Sequence, residues 1–85
     1  MSRERYDLKK GYYRLTPKET ERTNVIAAYL HIKNDTDNMH CDVVKHMTNG
    51  VELVENLHIT FSKSLWNLED SNPEEFELHE TLASV

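Results

Sequence analysis

The chain has 85 residues, 38% of them hydrophobic and 29% charged, with one cysteine and a formal net charge of −5. A chain this short holds one domain with a thin core, since it buries only about 60–65% of the surface its unfolded form exposes. The lone Cys41 excludes an internal disulfide, the two glycines (Gly11 and Gly50) exclude a phosphate-cradling loop, and no apolar run approaches the ~20 residues of a membrane span.

Charge is divided along the chain. Residues 1–33 carry eight Lys/Arg and four Asp/Glu, a net of +4, whereas residues 34–85 carry two Lys and eleven Asp/Glu, a net of −9. Such polarity steers partners of either sign or drives head-to-tail self-association. The start Met1-Ser2-Arg3-Glu4-Arg5 is followed by no apolar stretch, so no signal peptide is expected and the expected location is cytoplasmic. The thin core makes a homodimer the expected state.

Residues 1–15 show no clear period and read as a basic, tyrosine-rich arm, in which Tyr12 to Leu15 suits a short strand or an extended segment. Arg3, Arg5, Lys9, Lys10 and Arg14 alternate with Tyr6, Tyr12 and Tyr13. Cations that pair with phosphates beside rings that stack on bases suit single-stranded nucleic acid. Glu4 and Asp7 dilute that charge, and the plainer expectation is tyrosines packed on the rest of the domain.

From residue 16 the pattern reads as helical, and residues 16–85 are predicted to form a single helical domain. Thr16 as N-cap, Pro17 at the first helical position and Glu19 three residues after the cap form a capping box. Val25, Ile26, Tyr29 and Leu30 then fall on one helical face. The polar break Asn34–Asn38 offers Thr36 or Asp37 as the next cap. Met39, Val43 and Met47 step by four, and Asn49-Gly50 supplies the stop. Val54, Leu57, Phe61, Leu65 and Leu68 continue a helical stripe. Over Leu57–Ser62 the same stretch alternates apolar and polar, and Asn49-Gly50 is also a hairpin turn signal. Finally Asn72, Pro73, Glu74 and Glu75 open a short C-terminal helix whose weak apolar side is Phe76, Leu78 and Leu82, with Phe76 and Leu78 not quite on the same face, so loose docking is expected. The predicted fold is therefore all-α, a small bundle of three main helices plus a short C-terminal helix. The alternative is α+β with a hairpin at residues 43–61.

Chemistry-bearing motifs are sparse. On a helix His40, Cys41 and His46 point to different sides, and the sequence has neither Cys-x-x-Cys nor His-Glu-x-x-His, so neither a metal site nor a cofactor is expected. Cys41 and the histidines have no spacing that selects a nucleophile and its base, so enzymatic activity is not expected. A helix-turn-helix reading would drive Asp35, Asp37 and Asp42 against phosphates with only Lys45 to offset them. The expected function is that of a small acidic regulator or inhibitor that binds a protein with a basic surface. Glu69, Asp70, Glu74, Glu75 and Glu77 would form the contact surface, with Trp66 as an anchor. The alternative is a nucleic-acid-binding regulator that uses Arg3, Arg5, Lys9, Lys10, Tyr12, Tyr13 and Arg14.

Overall fold

The computed structural model describes Tyr6, residues 8–34, residues 40–57 and residues 61–84, without the side chains of Arg22 and Asn34. Its main feature is a five-stranded antiparallel sheet. The strands are β1 (Gly11–Pro17), β2 (Val25–Asn34), β3 (His40–Met47), β4 (Gly50–Leu57) and β5 (Trp66–Asp70), in spatial order β4-β3-β2-β1-β5. A 3-10 turn at Thr20–Arg22 links β1 to β2, and the chain closes with a helix, α1 (Pro73–Ala83).

The all-α expectation is thus overturned, and the α+β alternative lies closer. The reason is clearest in β2, the central strand. Ala28, Leu30 and Ile32 face one side of the sheet, and Ala27, Tyr29 and His31 face the other. Both sides of β2 are covered, so five of these six residues are buried and no alternation of apolar with polar survives in the sequence. The expected cap at Thr16-Pro17 is instead the end of β1. Pro17 pairs with Trp66 there, at a strand terminus where its missing N–H breaks no ladder bond, and the backbone N–H of Lys18 donates to the Leu65 carbonyl at 3.0 Å. Glu19 precedes the 3-10 turn without a side-chain capping bond, so the capping box is not formed. The expected caps Thr36 and Asp37, and Met39, lie outside the described residues.

A hairpin does form beside Asn49-Gly50, with its turn one residue earlier than that signal places it. Thr48 and Asn49 form the turn, and Met47 pairs with Gly50 across it. Gly50 has φ +147°, a backbone state that side-chain-bearing residues rarely adopt. The hairpin spans residues 40–57, not 43–61. Beyond it the predicted third helix is replaced by a turn at residues 63–65 and then β5.

The sheet has two unlike faces. The loop face gathers Leu15, Leu30, Ile32, Cys41 and Val43 under Leu8 and Phe61, with Tyr6, Tyr13, Trp66 and Leu68 at its margin. Tyr6 is tied there, its N–H donating to the Phe61 carbonyl at 3.0 Å and its hydroxyl to the Trp66 carbonyl at 2.8 Å. The helix face gathers Ala27, Tyr29 and Val44 under Phe76, with Tyr12, Val51, Leu53 and Ala83 around them. No helix among the described residues is long and apolar enough to cross a membrane.

Candidate interaction surface

The C-terminal helix begins as the sequence predicts. The Asn72 side-chain oxygen accepts from the Glu75 N–H at 2.8 Å, and Pro73 occupies the first turn. The Ser71 hydroxyl donates to the Glu75 carboxylate at 2.6 Å, while the Ser71 N–H donates to the Tyr12 carbonyl at 3.0 Å and ties the β5–α1 connection to β1. From that point α1 crosses β2, β3 and β4.

The inner side of α1 is narrow. Phe76 is buried and meets Tyr12 edge-on at 5.8 Å and His31 at 5.6 Å. One turn further, His79 lies flat on Tyr29 with ring centroids 3.8 Å apart, and His46 approaches edge-on at 5.9 Å. Tyr12 in turn lies flat on His31 at 4.3 Å. The outer side carries Leu78 and Leu82, which are 60% and 46% exposed. They stand four residues apart, so they form one row, and Glu74 extends that row by another four. Glu74 and Glu77 are exposed, and no Lys or Arg follows Lys63.

The expected acidic residues divide by strand parity and helix face. Asp70, Glu74 and Glu77 are exposed around the β5–α1 corner. Glu69 pairs with Arg14 across β5 and β1 at 3.2 Å, and Glu75 is taken up by the cap. Trp66 stands on the other side of the sheet, packed against the loop-face core and meeting Phe61 edge-on at 6.2 Å. Beside it Pro17, Glu19, Thr23, Ser64 and Leu65 complete an open, mainly apolar cleft of about 180 Å³.

Among the described residues of the basic arm, the tyrosine rings do not stand side by side. Arg3 and Arg5 lie outside the described residues. Lys9 and Lys10 are exposed, but Tyr12 is packed under α1 and Tyr13 turns to the opposite face, where its hydroxyl donates to the Lys9 carbonyl at 3.0 Å. Arg14 is engaged by Glu69. Alternation along β1 separates the rings that the sequence places side by side.

The polar groups that remain form structure more readily than chemistry. Asp42 is buried on β3, where it pairs with Lys33 at 3.0 Å and accepts from the Asn56 N–H at 3.0 Å. That bond holds Asn56 at φ +54°, in the left-handed region that asparagine tolerates best after glycine. Burial, seconded by the neighbouring Asp42 charge, pushes the Cys41 thiol up to about 11, and its Sγ faces the Leu57 carbonyl at 3.5 Å. A thiol held protonated and enclosed is a poor nucleophile. Cys41 and His46 face opposite sides of the sheet, and the described residues hold no group of three metal-ligating side chains. No family model, curated protein or solved structure matches the chain.

Sequence reasoning placed Leu78 and Leu82 with Phe76 on one weak apolar side, and missed that the two leucines stay exposed. The signal was present, a four-residue spacing out of phase with Phe76.

Proposed function

We propose that this protein is a non-enzymatic protein-binding module whose contact surface is the outer side of α1. The observation that carries the reading is the row Glu74, Leu78, Leu82, two exposed leucines continuous with a carboxylate and flanked by Glu77. Phe76 and His79 already cover the sheet from α1, and Leu78 and Leu82 stay exposed on its far side. Apolar residues at i and i+4 on an exposed helix are the anchors of a helix-in-groove contact. The acidic border selects a groove lined with apolar side chains and rimmed by Lys or Arg, and it speeds the encounter. Regulation or inhibition by occupying such a groove suits a domain with no assembled catalytic group among its described residues.

The test is affinity capture with the tagged protein, with and without nuclease, run beside a Leu78→Asp/Leu82→Asp variant and a Glu74→Lys/Glu77→Lys variant. A stoichiometric protein partner should survive nuclease and be lost from both variants, and its retention should fall as salt rises. A partner retained by both variants would place the contact elsewhere, with the Trp66 cleft the next surface to alter. Nucleic acid recovered by the wild type and the variants alike would move the function to the basic arm.

A further inference from the structure

We propose that α1 is held on the sheet by a pH-gated latch, in which the His79 imidazole, stacked on Tyr29 with its Nδ1 buried, docks the helix while neutral and releases it on protonation. The geometry sets the condition. The Nδ1 of His79 is buried and has no hydrogen-bond partner among the described residues. A neutral imidazole can leave one ring nitrogen as an unprotonated acceptor, whereas an imidazolium carries a proton on both and must donate from both. In the docked position the Nδ1 proton of an imidazolium has no acceptor among the described residues, so docking disfavours the charged ring relative to its exposure to water.

The surroundings act in the same direction. From β3, His46 faces the ring and adds a like charge when protonated. From β1, Arg14 adds positive potential, although it is paired with Glu69. From β2 come Tyr29 and, through Phe76, His31. From β4, Val51 and Leu53 pack on the cluster of Tyr29 and Phe76 beside the ring and bring no charge. Among the described residues the opposing group is Glu75 on α1 itself, whose carboxylate also accepts from the Ser71 hydroxyl. Desolvation is the largest influence and His46 the second, and together they hold the His79 pKa below its ordinary value of 6.5.

A group whose pKa is lowered by docking gives its full stabilisation above its undocked pKa and loses it as pH falls through that value toward the docked one. The latch is therefore closed at neutral pH and opens on mild acidification, in the range where endosomal and similar histidine switches act. Each unit by which docking lowers the pKa is worth about tenfold in the docking constant at acid pH. That release would remove the α1 surface assigned above from its scaffold. What the latch controls rests on that assignment, whereas the latch itself does not.

The experiment needs no partner. Amide protection factors of α1, corrected for the intrinsic pH dependence of exchange, are measured at pH 7.5 and pH 5, with the amides of β1 and β2 as internal reference. They are measured on the wild type and on His79→Phe, which keeps a ring on Tyr29 and removes the titration. Protection of α1 in the wild type should fall several-fold at pH 5 while the strand amides hold, and in His79→Phe it should stay flat. Unchanged α1 protection in the wild type, or an equal fall in both proteins, would overturn the latch. Should His79→Phe fail to dock, NMR titration of the wild-type His79 ring decides alone. A midpoint below that of histidine in an unfolded peptide supports the latch, and one at or above it sinks it. Failure to capture any partner would count against the assigned surface without touching these results.

Discussion

On the loop face Leu15, Leu30, Ile32, Cys41 and Val43 are each 1% exposed or less, whereas on the helix face Tyr12, Tyr29, His31, His46, Phe76 and His79 meet ring to ring. The first set is aliphatic apart from a thiol, and it is stabilised by area removed from water. The second is built largely of polar rings at the edge of solvent. The two faces therefore carry opposite responses to pH. Cys41 titrates at about 11 in the fold against an ordinary 9.0, so its contribution is complete below pH 9 and is lost as pH rises through the interval. His79 is shifted downward, so its contribution is complete above pH 6.5 and is lost as pH falls. One face is set to loosen in alkali and the other in mild acid.

The comparison breaks most visibly on the loop face. Leu30 is fully buried in the central strand, and Leu30→Ala should cost about 2–5 kcal/mol, a large share of the stability of so small a domain. Denaturant unfolding followed by Trp66 emission should show the whole sheet melting earlier, with α1 lost in the same transition. On the helix face Phe76→Ala removes a residue whose truncation in a closed core costs about 3–5 kcal/mol. Here the loss is capped, because α1 is terminal and can detach from a sheet that remains paired. Its α1 amides should lose protection at pH 7.5 while the Trp66 midpoint falls by less than in Leu30→Ala. Equal midpoints in the two variants would mean that the faces are one cooperative unit.

The same asymmetry explains what the sequence disclosed. A step of four residues is even, so Val43 and Met47 share a side whether the chain is helix or strand. Spacing of this kind cannot choose between the two forms. The deciding signal is alternation, and the strands that build the core erase it by burying both parities, as Ala27, Ala28, Tyr29 and Leu30 do in β2. Where local chemistry acts alone, the reading was legible. Asn72-Pro73 opens α1 by a cap and a ring constraint that need no tertiary help, whereas Asn49-Gly50 marks the chain reversal one residue past the turn that forms, at Thr48 and Asn49. The surface was half legible. The acidic run locates the β5–α1 corner, but the stacking of His79 on Tyr29 joins residues 50 positions apart and leaves no local trace.

A third prediction sharpens the contrast where the helix face gives way to polar contacts. Asp42→Ala leaves the Asn56 N–H without its acceptor and Lys33 with only the Asn56 side-chain oxygen at 3.3 Å, and should cost about 1–3 kcal/mol. Asp42→Asn keeps an oxygen for Asn56 and should recover part of that loss, as read from thermal midpoints. A smaller effect follows from Cys41→Ala, which should flatten the decline in stability between pH 9 and pH 11 and leave the acid side unchanged. Should the alkaline decline persist, other groups carry it and the thiol is not the source of the loop-face response.

The smallest change isolates α1 from its docking. Asn72→Ala removes the side-chain oxygen that accepts from the Glu75 N–H at 2.8 Å, and loss of an N-cap typically costs about 1 kcal/mol. Because Pro73 and the dipole-complementing Glu74 and Glu75 remain, the helix should still form, with its first turn frayed. The cap lies outside the ring layer, so the substitution should lower α1 protection by a similar factor at pH 7.5 and at pH 5. His79→Phe should do the reverse, changing the pH dependence more than the value at neutral pH. If Asn72→Ala altered the pH dependence as well, fraying at the first turn would have to reach His79, and docking and helix formation would be one event. Distinct signatures from the two substitutions would establish that α1 is held by two separable devices, a cap that makes it a helix and a ring stack that fixes it to the sheet.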